Sequence, residues 1–313
     1  MITTSTMPTP AAISGSRHLV KSWSRIIRLL LAASVLALLG GCSAIKLAYN
    51  NLPDLGYWWV DGYADLNEVQ SLQLRADLAS LHAWHRKNEL PRIADLLQQM
   101  QKSATADATP EQVCSLYGDI RNRFDAVVAQ AEPGALALAM RLTPAQLQHL
   151  QARFDKGNKE WRRTRMTAER SERLDRRLSS EVDRAEDFYG TLGERQRKVL
   201  QDAIAVSSMD PQRMYTERLR RQQDLVATLR AIAPGLGAPA MEPAQAMAAL
   251  RGYWERTVRS PDPLYRSQAE AAVQENCTTY ARLHNSTTPE QRARAAARLA
   301  AYARDARELA AQR

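Results

Sequence analysis

A short phrase recurs along this chain and cuts it into helical lengths. Thr-Pro-x-Gln stands at residues 109–112, 143–146 and 288–291. A threonine at the N-cap accepts a backbone N–H, proline in the next position has no donor to waste, and glutamine three residues after the cap can reach back to the cap's own N–H. Thr109 with Gln112, Thr143 with Gln146 and Thr288 with Gln291 therefore predict three helix starts, each stabilised by about 1 kcal/mol. Asn67 with Gln70 is a variant of the same box, and Gly193 with Gln196 a weaker one, since glycine has no side-chain acceptor.

Between these starts the apolar residues keep helical spacing. Leu74, Leu78 and Leu81 lie on one face of a segment over 66–88, and Leu299, Tyr302, Ala306 and Leu309 on one face near the C-terminus. The expected helices are 66–88, 92–102, 110–130, a long polar-rich run from 144 to about 189, one starting at 192–196, then 211 to about 231, 243–259, 265–284 and 289–311. Pro133-Gly134 and the Pro/Gly-rich stretch 233–239 read as breaks. No segment alternates as a strand would. The expectation is an all-α multi-helix bundle with one long helix, arranged as a single helical domain over 66–313 behind an aromatic-rich linker over 42–65.

The N-terminus predicts a segment that does not belong to the mature fold. Arg17, Lys21, Arg25 and Arg28 precede an apolar run over 29–39, too short for a comfortable membrane span, which ends Leu39-Gly40-Gly41-Cys42. That ending resembles a bacterial lipobox. The resemblance implies cleavage after residue 41, acylation of Cys42 with palmitate-type chains, and attachment to a membrane through two or more acyl chains. Ser43 is not the aspartate that signals inner-membrane retention in such proteins, so the implied home is the periplasmic face of the outer membrane. Without residues 1–41 the formal charge falls from +9 to +5, 39 basic against 34 acidic residues. Nucleic acid is not an expected partner at that surplus or in that compartment.

Two cysteines remain, Cys114 and Cys277. An even pair in an oxidising compartment predicts a disulfide, with two buried thiols as the alternative. Tyr49, Tyr57, Trp58, Trp59 and Tyr63 cluster just after the lipobox; they suit either a membrane interface or packing beneath the bundle.

Leu142-Thr143-Pro144-Ala145-Gln146 resembles the Leu-Thr-x-x-Gln motif of the Spy/CpxP-type periplasmic chaperones, which implies an unfolded client as a conceivable partner. Residues 66–70 and 192–196 match that motif only at the Leu and Gln. Over a longer stretch, the lipobox, residues 65–70, Trp84-His85-Arg86 with Glu89-Leu90-Pro91, Trp161-Arg162-Arg163 and Phe188-Tyr189-Gly190 resemble an uncharacterised family of all-helical bacterial lipoproteins. That similarity implies location and fold and brings no activity with it.

Signs of catalysis are missing from the sequence: it holds no Gly-rich phosphate loop, nucleophile elbow or zinc-protease motif. His82, His85 and Glu89 share a helix face, but no further ligand declares itself, and no metal or other cofactor is expected. The most distinctive charge lies over 153–184, eleven basic against seven acidic residues. Ion pairs one turn apart can support it as a solvated helix; alternatively it offers a basic surface for acidic clients, anionic lipid or cell-wall polymer, centred on Trp161, Arg162, Arg163 and Arg165. The expected function is a non-catalytic binding or scaffold role in the envelope, for an envelope protein or, alternatively, an unfolded client or anionic polymer.

Overall fold

The computed structural model describes residues 41–312 apart from 168, 238 and 240, and leaves out the side chains of 41–44. Residues 1–40 of the expected signal segment and the thiol of Cys42 thus lie outside the described residues. The described helices are α1 (Gly41–Asn50), α2 (Leu52–Ala64), α3 (Glu68–Asn88), α4 (Leu90–Ser103), α5 (Pro110–Ala139), α6 (Pro144–Arg165), α7 (Arg170–Tyr189), α8 (Glu194–Ala205), α9 (Pro211–Ile232), α10 (Pro243–Val258), α11 (Pro263–Asn285) and α12 (Pro289–Ala311), with one 3-10 turn at Pro234–Leu236. Among the described residues there is no strand, and no helix is long and apolar enough to cross a membrane. The fold is all-α.

The chain divides after Tyr49, and the larger unit begins at Asn50. Within residues 42–65, the expected aromatic-rich linker, all but Asn51 and Asp65 are helical. Pro53 sits in the first turn of α2, where its missing N–H costs nothing, and Asp54 beside it complements the helix dipole. The helix then packs on α3: the Tyr57 hydroxyl donates to Ser71 Oγ (3.1 Å), and the Arg75 guanidinium lies 3.5 Å over the Tyr57 ring. Gly56 faces the Leu78 side chain of α3, where a Cβ would make ordinary contact at 3.4 Å.

The long helix lies elsewhere than expected. The run from 144 to 189 is broken at 166–169, where the N–H groups of Met166 and Thr167 both donate to Arg162 O and the Thr167 hydroxyl donates to Arg163 O (3.0 Å). Such a hydroxyl competes with the helix for backbone groups. Among the described residues the longest helix is α5, 30 residues, which continues through Pro133. Both Pro133 and Ala129, whose carbonyl loses its partner there, are exposed, so water can take the freed acceptor. Gly134 eases the approach there, because a Cβ would stand 3.1 Å from the Asp77 carboxylate of α3, a tight contact.

Two apolar clusters form the core of the larger unit. One gathers Leu136, Leu147, Val226, Leu229 and Ile232 from α5, α6 and α9 with Ala246 of α10 and Leu142 of the α5–α6 loop; the other gathers Val182, Ala185, Leu200 and Leu283 from α7, α8 and α11 with Leu192 of the α7–α8 loop. Helices α4 and α12 lie along each other through small residues, with Ala94, Ala303 and Ala306 all buried. Cys114 of α5 and Cys277 of α11 are bridged, with Cα atoms 5.4 Å apart across 163 residues of sequence.

Candidate functional site

The recurrent glutamines do more than cap. Gln70 and Gln146 sit at the third position of α3 and α6, close the boxes with Asn67 and Thr143, and are buried. Each also crosses to the other helix. Gln70 Nε2 donates to Gln146 Oε1 (3.2 Å) and to Arg141 O (2.9 Å), while Gln146 Nε2 donates to Gln70 Oε1 (2.6 Å) and to Asp65 O (2.9 Å). The carbonyl reached in each case lies two residues before the partner's cap.

The same arrangement recurs between α8 and α12. Gln196 Nε2 donates to Gln291 Oε1 (2.6 Å) and Ser286 O (3.1 Å), and Gln291 Nε2 donates to Gln196 Oε1 (3.2 Å) and Thr191 O (2.9 Å). Thr288 and Gln291 form a full box, whereas Gly193 contributes only its N–H to Gln196 (2.9 Å). Leu142 and Leu192, directly before the caps, are buried in the two clusters. Thr109 and Gln112 also form a full box, but Gln112 is exposed and crosses to no other helix. The phrase is thus a junction between helix starts in four of its five occurrences.

A groove of about 690 Å³ lies between the end of α6, the length of α7, the end of α8 and the start of α9. Arg170, Arg173, Arg177 and Arg184 line it from α7. Their spacing of three, four and seven places them on one helix face, spread over about 21 Å at 1.5 Å per residue. Trp161 and Arg165 line it from α6, and Ile204, Met209 and Met214 give it an apolar wall. Of the four residues expected to centre a basic surface, the groove takes Trp161 and Arg165. Arg162 lies 6.0 Å from the Tyr215 ring, and Arg163 is turned to Glu160 (2.6 Å), so neither lines it.

Local contacts hold the groove open. The Trp161 and Tyr215 rings stack at 5.3 Å and 25°, which ties α6 to α9. Below them Asn158 donates to Gln222 Oε1 (2.7 Å) and accepts from Arg218 Nε (2.7 Å). Arg176 acts as a strut, donating to Thr164 O (2.9 Å) and pairing with Glu172 (2.7 Å). Glu181, an acid in the lining, is engaged by the Tyr280 hydroxyl (2.6 Å) and by Arg184 (3.2 Å). Burial and that carboxylate push the Tyr280 phenol up to about 12, so it stays a donor. Among the described residues no carboxylate comes within 4.0 Å of Arg165, Arg170 or Arg177. Charges of one sign in a concavity with apolar walls focus the field on whatever enters.

Residues 62–250 match a family of unknown function, DUF6279. The chain belongs to DUF6279. No curated protein and no solved structure matches it. The DUF6279 match takes in the whole groove and the Gln70–Gln146 junction, and stops before Cys277 and Gln291. In this DUF6279 chain Glu89 is buried and paired with Arg123 (3.3 Å) and Arg92 (3.4 Å), which takes it out of the His82, His85 and Glu89 set. Among the described residues no group of three metal-ligating side chains comes together. The sequence drew attention to the charge over 153–184; the three-four-seven spacing of the α7 arginines was the further signal that would have picked out their shared face. Nothing local announced the wall from α8 and α9.

Proposed function

We propose that this protein is a lipid-anchored binding protein of the periplasmic face of the outer membrane, without catalytic activity, and that the groove along α7 holds an anionic ligand. The observation that carries the reading is a set of arginines, Arg165, Arg170 and Arg177, that meet no carboxylate among the described residues, in a groove with an apolar wall. No histidine or cysteine lines that groove among the described residues, so its chemistry favours holding over covalent work. The lipobox-like ending at Cys42 supports the anchor and the address. The ligand carries repeated phosphate or carboxylate groups beside apolar or sugar surface, as an anionic lipid headgroup or an acidic cell-wall polymer does.

The test is equilibrium dialysis with two water-soluble probes, the lipid-free headgroup glycerophosphoglycerol and purified acidic wall polymer, neither of which offers a bilayer to the acyl anchor. Retention of one of them should fall steeply with salt and be lost in Arg170→Glu/Arg177→Glu. Retention of neither, or retention unchanged by salt and by the substitution, refutes the groove as the binding surface. A chaperone role, suggested by the Leu-Thr-x-x-Gln phrase, has less support because Gln70, Gln146 and Gln196 are buried in helix junctions and present nothing to a client. Suppressed aggregation of an unrelated denatured protein at near-equal ratio would favour it instead.

A further inference from the structure

One face of α2 is apolar and turned to solvent. Leu52, Leu55, Trp58 and Trp59 are 48 %, 48 %, 64 % and 67 % exposed. At 100° per residue they fall within an arc of about 120°, a single stripe along the helix. The tyrosines of the same helix are disposed differently: Tyr57 bonds Ser71, and Tyr63 lies 6.1 Å from the Phe154 ring of α6. The aromatic residues of α2 therefore split, Tyr57 and Tyr63 packed against the bundle and the two indoles left outside. A stripe of large apolar side chains kept out of the core marks a surface that meets something else.

We infer that this stripe lies in the headgroup region of a phospholipid bilayer. The inference rests on the proposed acylation of Cys42. Leu52 is ten steps along the chain from Cys42, a path of about 15 Å if helical and at most about 36 Å if extended, so an acyl anchor there keeps α2 beside the membrane. Indole, apolar in body and with one N–H to offer water, is the side chain favoured at that boundary. A second copy of the chain is the poorer occupant. Two tryptophans of about 150–250 Å² each and two leucines, at these exposures, fall short of the roughly 800 Å² per partner of a standard interface. None of the four side chains is charged, so the contact is apolar and insensitive to salt, unlike ligand binding in the groove.

The experiment uses the protein extracted from membranes and reconstituted into phosphatidylethanolamine and phosphatidylglycerol vesicles with and without brominated acyl chains. Intact mass on the same preparation reads the acylation. Tryptophan emission should be quenched by the brominated lipid at low and high salt alike. Trp58→Phe/Trp59→Phe should lose most of that quenching while the remaining tryptophans still emit and the helical circular dichroism is unchanged. Acylated protein whose quenching is absent, or unaltered by the double substitution, overturns the α2 contact and leaves the anchor standing. A dimer in lipid-free detergent solution that dissolves in the double variant overturns it in favour of a second copy. A chain without acyl groups refutes the anchor and the inference with it.

Discussion

Replacing Gln146 by alanine should cost several times what the same change costs at Gln112, although both glutamines close the same local box. At Gln112 the loss is one exposed bond, from Thr109 N to Oε1 (2.8 Å), of about 0.5–1 kcal/mol. At Gln146 the equivalent bond from Thr143 N (3.1 Å) goes, and with it both bonds to Gln70 and the one to Asp65 O. Gln70 is itself only 4 % exposed, so its amide is left short of a donor and an acceptor where water enters poorly. A cap bond of about 1 kcal/mol and a buried amide left partly unsatisfied, at about 1–3 kcal/mol, add to roughly 2–4 kcal/mol. Urea unfolding with an unchanged m-value measures it. The double variant Gln70→Ala/Gln146→Ala should cost less than the sum of the two single ones, because the first substitution already breaks the pair. A Gln146→Ala penalty no larger than that of Gln112→Ala, or strict additivity with Gln70→Ala, would refute the junction.

Two other outcomes concern stability. Reduction, or Cys114→Ser/Cys277→Ser, opens a closed loop of more than 160 residues and should destabilise the chain by up to about 5 kcal/mol on chain entropy, read as a lower urea midpoint. Acid should act through the Arg-bound carboxylates of α9. Burial pushes the Glu217 carboxyl up, but hydrogen bonds from Arg220, Arg221 and Ser260 outweigh it, and Asp224 is drawn down first by its bond from Arg256. Both folded values lie below the ordinary 4.5 and 3.8, so this stabilisation is complete above those values and is lost as pH falls through the lower folded ones. Chemical unfolding across that range should show Glu217→Gln with a shallower acid loss than the parent.

What could be read from the sequence was what depends on a few neighbouring residues. Thr109, Thr143, Thr288 and Asn67 cap helices where the local chemistry said they would, because a cap is settled within four residues. Where the outcome depended on distant contacts, local signals misled. Pro133-Gly134 looks like a break, yet solvent tolerates the proline and the glycine sits close against the Asp77 side chain. The segment 166–169 holds neither glycine nor proline, yet the helix ends there, with Arg176 returning to Thr164 O to fix the new direction. The pairing of Gln70 with Gln146 spans 76 residues, and that of Gln196 with Gln291 spans 95, so neither partner could be chosen from one helix alone. The candidate surface was half legible for a related reason. Its arginines share one stretch of sequence, but Ile204, Met209 and Met214, which make the surface a groove, arrive from two other helices and the loop between them.

The most direct test of the binding account is the slope of log affinity against log salt for a soluble anionic probe, short-chain phosphatidylglycerol, titrated calorimetrically into the wild type and into Arg170→Glu/Arg177→Glu. Binding that weakens steadily with salt in the wild type and is abolished in the variant is what a groove holding Arg165, Arg170 and Arg177 away from the described carboxylates requires. Affinity that is flat in salt, or equal in the two proteins, would contradict it.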